Sequence, residues 1–144
     1  MEIIKKSAIL VGQEFSTKEE ATKLAGKLLL DNASIQEEYI DSMLEKLVSN
    51  IYQTYIPGTG IAMPHGMNDS KKYINEASMS IIQSPAGVDW NGEKVHLIFG
   101  LAVAGEEHTE IIKKISNLIL EDMDKVNELS KTASIDELYE FFSI

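Results

Sequence analysis

The chain is predicted to fold as a three-layer α/β domain, a central mixed β-sheet with helices on both faces, and three observations carry that expectation. Amphipathic helical segments occur toward both ends, short β-compatible apolar runs lie between them, and no composition shift or linker divides residues 1–144, which are expected to form a single domain. With 44% hydrophobic and 25% charged residues, the sequence has the composition of a globular protein long enough to bury its own core.

The first helix opens at Ser16-Thr-Lys-Glu19, which has the form of a capping box, and continues through Ala21, Leu24, Ala25 and Leu28 toward Asp31. A second box, Ser34-Ile-Gln-Glu37, precedes Ile40, Met43, Leu44 and Leu47 and predicts another helix ending near Val48. From Tyr55 to Gly66, glycines and prolines bracket the apolar residues 61–63, which reads as loop, short strand, loop. Residues 77–82 form a β-compatible run that Ser84-Pro-Ala-Gly87 is expected to end. Residues 95–103 are almost continuously apolar, as in a strand covered on both faces. Beyond Gly105 the spacing is helical again, with Ile111, Ile112, Ile115, Leu118 and Ile119, then a short segment around Val126 and Leu129. A third box, Ser134-Ile-Asp-Glu137, opens a last helix carrying Leu138, Phe141 and Phe142.

The formal charge of −10 comes from 23 acidic residues against 13 lysines, with no arginine and no basic run longer than a pair. This argues against a nucleic-acid partner and favours encounter with a positively charged protein surface. Cysteine is absent, so disulfides, thiolate metal sites and thiol nucleophiles are excluded. The three histidines lack metal-ligand spacing and no hard-cation loop is present, so neither a metal nor a cofactor is expected. Walker, Gly-x-Ser-x-Gly and dinucleotide fingerprints are missing as well. The longest apolar stretch is about half the ~20 residues of a membrane span, and Met1-Glu-Ile-Ile-Lys-Lys lacks a signal-peptide apolar region. A cytoplasmic protein without direct membrane insertion is expected.

His65 is the histidine with chemical promise. Pro64 turns the chain after an extended Met63 and presents the imidazole at a strand end, while Gly60, Ala62 and Gly66 leave space around it. A neutral imidazole nitrogen is nucleophilic near pH 7, and backbone N–H groups can hold phosphate oxygens without a metal. Two readings stand at this level: a covalent phosphohistidine, or an exposed turn residue. His108 precedes Ile111, Ile112 and Ile115 by three, four and seven residues, so it lies on their inward face in the first helical turn. There it either assists a phosphoryl group beside the positive helix end or serves as a buried structural histidine. His96, inside the apolar strand, reads as a packed residue.

The string Gly60-Ile-Ala-Met-Pro-His-Gly66 resembles the phosphorylation-site signature of enzyme IIA of the mannitol/fructose class in the bacterial phosphoenolpyruvate-dependent sugar phosphotransferase system. Ser16 to Leu29, Glu38-Tyr-Ile-Asp-Ser-Met-Leu44, Gln83-Ser-Pro-Ala-Gly-Val-Asp-Trp90, Leu97-Ile-Phe-Gly-Leu-Ala102 and the pair Glu107-His108 are similar to the family in the same order. The pair and the Gly100-containing strand are nearer to the mannitol branch than to the fructose or nitrogen-regulatory branches.

The resemblance implies that His65 accepts a phosphoryl group from the histidine phosphocarrier HPr. It then passes the group to a cysteine of enzyme IIB, or IICB, of a sugar permease, with His108 stabilising the phosphorylated state. The mannitol branch carries an arginine shortly after the Met-Leu of the second helix. This chain has Met43-Leu-Glu-Lys46 there, and lysine lacks the planar fork that binds two phosphate oxygens together. Lys46, Thr54 and Gly66 are the phosphate-binding candidates, and Ile56, Met63 and Met67 the expected apolar docking rim. The segment from Met43 to His65 is also a few residues longer than in the branch. Two other functions compete with the transport subunit. One is a regulatory phosphorylation-sensing domain of the antiterminator or activator type, against which the absence of an attached regulatory domain speaks; the other is a docking module without chemistry.

Overall fold

The computed structural model describes residues 3–143; Met1, Glu2 and Ile144, the ends of the expected domain, lie outside the described residues. The elements follow the order β1 (Ile4–Leu10), α1 (Lys18–Asp31), α2 (Glu38–Ser49), β2 (Tyr55–Ile56), β3 (Ile61–Ala62), β4 (Ser78–Trp90), β5 (Glu93–Ala102), α3 (Gly105–Glu121), α4 (Met123–Lys131) and α5 (Ile135–Phe142), with 3-10 turns at Ile51–Gln53 and Asn68–Tyr73. The five strands form one mixed sheet in the order β1-β4-β5-β3-β2, in which β1 runs parallel to β4 and β3 parallel to β5, while the other two pairs are antiparallel. This is the three-layer α/β architecture expected from the sequence.

Alternation along the strands separates two cores. On one face Ile81, Leu97, Phe99 and Leu101 pack with Ile111, Ile115 and Ile119 of α3, Val126 and Leu129 of α4, and Leu138 and Phe142 of α5. On the other, Ile82, Trp90 and Ile98 pack with Ala21, Ala25 and Leu28 of α1 and Leu47 of α2. Gly100 on β5 permits the close approach of α1, since a Cβ there would collide with Ala25 and Ser80. The six residues from Leu97 to Ala102 are all buried, matching the doubly covered strand read from their apolar run.

Local signals were displaced in several places. The cap of α1 is Thr17, one residue later than Ser16, and its hydroxyl accepts from the Glu20 N–H; Glu20 reaches back to the Ser16 N–H rather than to that of the cap, so the reciprocal box is not completed. Ser34-Ile-Gln-Glu37 forms no box. The Ser34 carbonyl accepts from Asn75 and Glu76 and Ile35 bridges Ile74, so tertiary pairing holds this stretch extended, and α2 begins at Glu38 without a side-chain cap. The third box, at Ser134 and Glu137, is complete. Pro85 does not end β4: the strand absorbs Ser84-Pro-Ala-Gly87 as an irregularity between Gln83 and Val88, where Pro85 and Ala86 face solvent and the missing proline donor costs no ladder bond.

Candidate functional site

The site forms where β3 continues toward α3. Ile61 pairs with Leu97 and Ala62 with Ile98, and His65 bridges Leu101 in the same parallel register, with the Pro64 carbonyl accepting from the Leu101 N–H at 3.0 Å. The histidine therefore extends the sheet beyond the formal end of β3. Its side chain is 7% exposed, which rules out the exposed-turn reading. Nδ1 lies 2.9 Å from the Met63 carbonyl oxygen, an acceptor only, so Nδ1 carries the proton and Nε2 keeps its lone pair. Burial pushes the His65 pKa down to about 4, partly countered by the Met63 carbonyl and reinforced by His108 and Lys46. The imidazole is accordingly neutral and nucleophilic at neutral pH.

His108 lies in the first turn of α3, and its ring centroid is 4.7 Å from that of His65. Burial also holds its pKa below the ordinary histidine value; the Val103 carbonyl opposes this shift, whereas the charges of Lys46 and Lys71 add to it. Nδ1 of His108 is buried without a completed hydrogen bond. The N-cap of α3, Ala104, supplies no side-chain acceptor, so the helix end beside His108 keeps donors available.

Lys46 stands on α2, where it follows Tyr39 by seven residues and Met43 by three on the same inward face, and it lines a depression with Asn50, Gln53 and Asp69 that shares Met67 and Asn68 with the histidine cavity. It is 6% exposed, makes no ion pair among the described residues, and opposes protonation of both imidazoles. Gly66 lies in the loop as expected, but its N–H donates to the Tyr39 hydroxyl at 2.9 Å, and that hydroxyl donates to the Leu101 carbonyl at 2.8 Å. A Cβ on Gly66 would collide with Tyr39 and Ser70, so this close approach requires glycine.

Thr54 is displaced from the expected role. Its buried hydroxyl donates to the Ile51 carbonyl at 2.6 Å and accepts from the Trp90 indole at 3.0 Å, leaving no hydrogen for a phosphate oxygen. Met63 likewise leaves the expected rim, because it is buried in the core beneath α3, whereas Ile56 and Met67 stay partly exposed. His96 donates from Nδ1 to the Ser84 carbonyl at 3.1 Å from within β5, consistent with a packed residue.

A cavity of about 170 Å³ opens over the histidine pair, lined among others by Tyr39, Gly66, Asn68, Lys71 and Thr109. Sequence reasoning did not select Tyr39 or Lys71. Tyr39 carried a signal, a polar-tipped residue on the apolar stripe with Met43 and Leu47, whereas Lys71 sits in an irregular turn without periodicity. Among the described residues no group of three or more His, Cys, Asp or Glu side chains converges to hold a metal ion.

A sheet-end histidine and a second imidazole facing one small cavity, with the charge of a buried lysine acting on both rings, define a class of proteins whose site suits an anionic group. The same architecture is found in the crystal structure of IIA mannitol from Escherichia coli, with a TM-score of 0.86 at 30% identity over 96% of this chain and 97% of that one. It is also found in the solution complex of that enzyme with phosphorylated enzyme IIB, with a TM-score of 0.87 at the same identity and coverage. The mannitol-specific phosphotransferase enzyme IIA component of Geobacillus stearothermophilus is 37% identical, over 96% of this chain and 93% of its own length. That of Enterococcus faecalis is 32% identical, over 100% and 99%. The chain belongs to the family described as phosphoenolpyruvate-dependent sugar phosphotransferase system, EIIA 2, whose model matches residues 2–144.

Proposed function

We propose that residues 1–144 act as one cytoplasmic phosphocarrier unit. It takes a phosphoryl group from the phosphocarrier HPr onto Nε2 of His65 and delivers it to a cysteine of an enzyme IIB, or IICB, serving uptake of a polyol, mannitol or one like it. The observation that carries this reading is the tautomer: Met63 fixes the proton on Nδ1 of a neutral, buried imidazole, so Nε2 is the free nucleophile beside His108. The mannitol-specific relatives and the solved complex of a relative with enzyme IIB support the substrate and the acceptor. Among the described residues no helix is long and apolar enough to cross a membrane.

The chemistry follows from that geometry. The Nε2 lone pair attacks phosphorus in line with the breaking P–N bond of the donor, and the bond pair returns to the donor imidazole. Nδ1 keeps its proton and the ring becomes a phospho-imidazolium, whose positive charge the Met63 carbonyl stabilises. Delivery reverses the step. A thiolate attacks phosphorus, the P–Nε2 bond breaks, and His65 departs as a neutral imidazole without needing a proton from solvent. Lys46, the His108 ring and the open end of α3 offset the phosphoryl charge, which in water-poor surroundings is the main contribution a protein makes to this reaction. Gly66 contributes by letting Tyr39 clamp the loop, and the Thr54 carbonyl by accepting from the Met63 N–H at 2.7 Å. Beside the cavity, Glu38, Asp41, Glu45 and Asp69 border an acidic depression that suits a donor with a positive face.

Incubation with phosphoenolpyruvate, enzyme I and HPr is expected to place one acid-labile phosphoryl group on His65. Undiminished labelling of His65→Ala would overturn the assignment.

A further inference from the structure

Lys71 lies in the 3-10 turn Asn68–Tyr73 that follows the histidine loop, and it lines the same cavity as His65, His108 and Thr109. Five other lysines, Lys5, Lys6, Lys18, Lys27 and Lys125, reach a carboxylate within ion-pair distance, but Lys71 is exposed and makes no such pair among the described residues. Its charge nevertheless acts inside the cavity, where it opposes protonation of His108. The adjacent Lys72 faces elsewhere: its ammonium lies 5.3 Å from the centroid of the Tyr73 ring and borders the depression formed by Glu38, Asp41 and Asp69.

The Lys71 ammonium, beside two neutral imidazoles, has no carboxylate within ion-pair distance among the described residues. A phosphoryl group on His65 supplies one, because it brings close to two negative charges and three acceptor oxygens into the cavity. Lys46 is buried on the α2 side, so it is a fixed part of the site. Lys71 instead stands on the solvent side with a long flexible stem, and a compact point charge suits a group that arrives and leaves.

We propose that Lys71 is a further phosphoryl-binding residue, whose ammonium closes onto the group carried by His65 and shifts the exchange with the donor toward this protein. The proposal rests on the phosphohistidine reading. No bond is made or broken at Lys71; the ammonium stays protonated and contributes hydrogen bonds and charge. Because it is exposed, its effect is modest and falls with ionic strength.

The test is the equilibrium ratio of phospho-His65 to phospho-HPr, measured by mass spectrometry of the intact proteins at low and high salt for wild type, K71Q, K71R and K23Q, the last removing an exposed charge on α1. At low salt K71Q is expected to move the ratio about three- to fivefold toward HPr, with K71R near wild type and K23Q unchanged. The gap between K71Q and wild type is expected to close in about 0.5 M salt, a response that a purely structural role would not produce. A wild-type ratio for K71Q at low salt, or an equal displacement by K23Q, overturns the assignment of Lys71. Absence of phosphorylation at His65 in the wild type overturns the underlying reading instead, so the two failures are distinguishable.

Discussion

Replacing His65 by glutamine couples the site's electrostatics to the stability of the whole domain. In the unfolded chain a histidine titrates near 6.5, whereas burial holds folded His65 at about 4. Between these values the unfolded state binds the proton and the folded state does not, so stability is fully present above the unfolded pKa and is lost as pH falls toward the folded one. At 1.36 kcal/mol per pKa unit, the difference amounts to about 3 kcal/mol at full depth, of which about 2 kcal/mol is lost between roughly pH 7 and pH 4.5. Urea denaturation of wild type and His65→Gln at the two pH values isolates this contribution, because the carboxylates and His108 titrate in both proteins. Wild type is expected to lose about 2 kcal/mol more than the variant across that interval. A histidine-ring NMR titration reads the same quantity directly, with His65 unchanged until below about pH 5. Equal losses in the two proteins, or a His65 midpoint between 6 and 7, would refute the assignment of a desolvated neutral imidazole.

Two further outcomes follow from the site's supporting residues. Lys46→Gln removes the buried cation whose charge acts on both histidines and is expected to slow single-turnover phosphoryl transfer by about tenfold or more, the equivalent of one charge-assisted hydrogen bond, while Lys46→Arg retains transfer; a wild-type rate for Lys46→Gln counts against its role. Thr54→Val strips partners from the Trp90 indole and the Ile51 carbonyl, so it is expected to cost about 1–3 kcal/mol in urea denaturation and to shift the Trp90 fluorescence, with the extent of His65 labelling unchanged.

The elements that were legible in the sequence are those whose signal is periodic. The stripes Ala21, Ala25, Leu28 and Ile111, Ile115, Ile119 could satisfy their apolar faces only as helices on a sheet, and residues 97–102 only as a doubly covered strand. The unread strand β1 has its apolar ends separated by the exposed Lys5, Lys6 and Ser7, so alternation is broken in its middle. The β2–β3 hairpin has two residues in each strand, too few for any period to show. Pro85 reads as a terminator because a lone chain cannot announce that a bulge will turn its missing donor to solvent.

The phase of His108 on its helix could be read without a structure, because it depends on a single segment of backbone, whereas Gly60, expected to leave space around His65, lies against His96 and Lys94 instead. What tertiary structure decided are the relations between segments. It set the 4.7 Å approach of the two rings, the burial of Lys46, and the diversion of Thr54 to Trp90. The Trp90 bond joins residues 36 apart and the Tyr39–Leu101 bond residues 62 apart, and neither appears in any local pattern. A hydroxyl or an ammonium has the same local propensity whether it meets a phosphate or an indole, and only the packing of distant elements chooses between them.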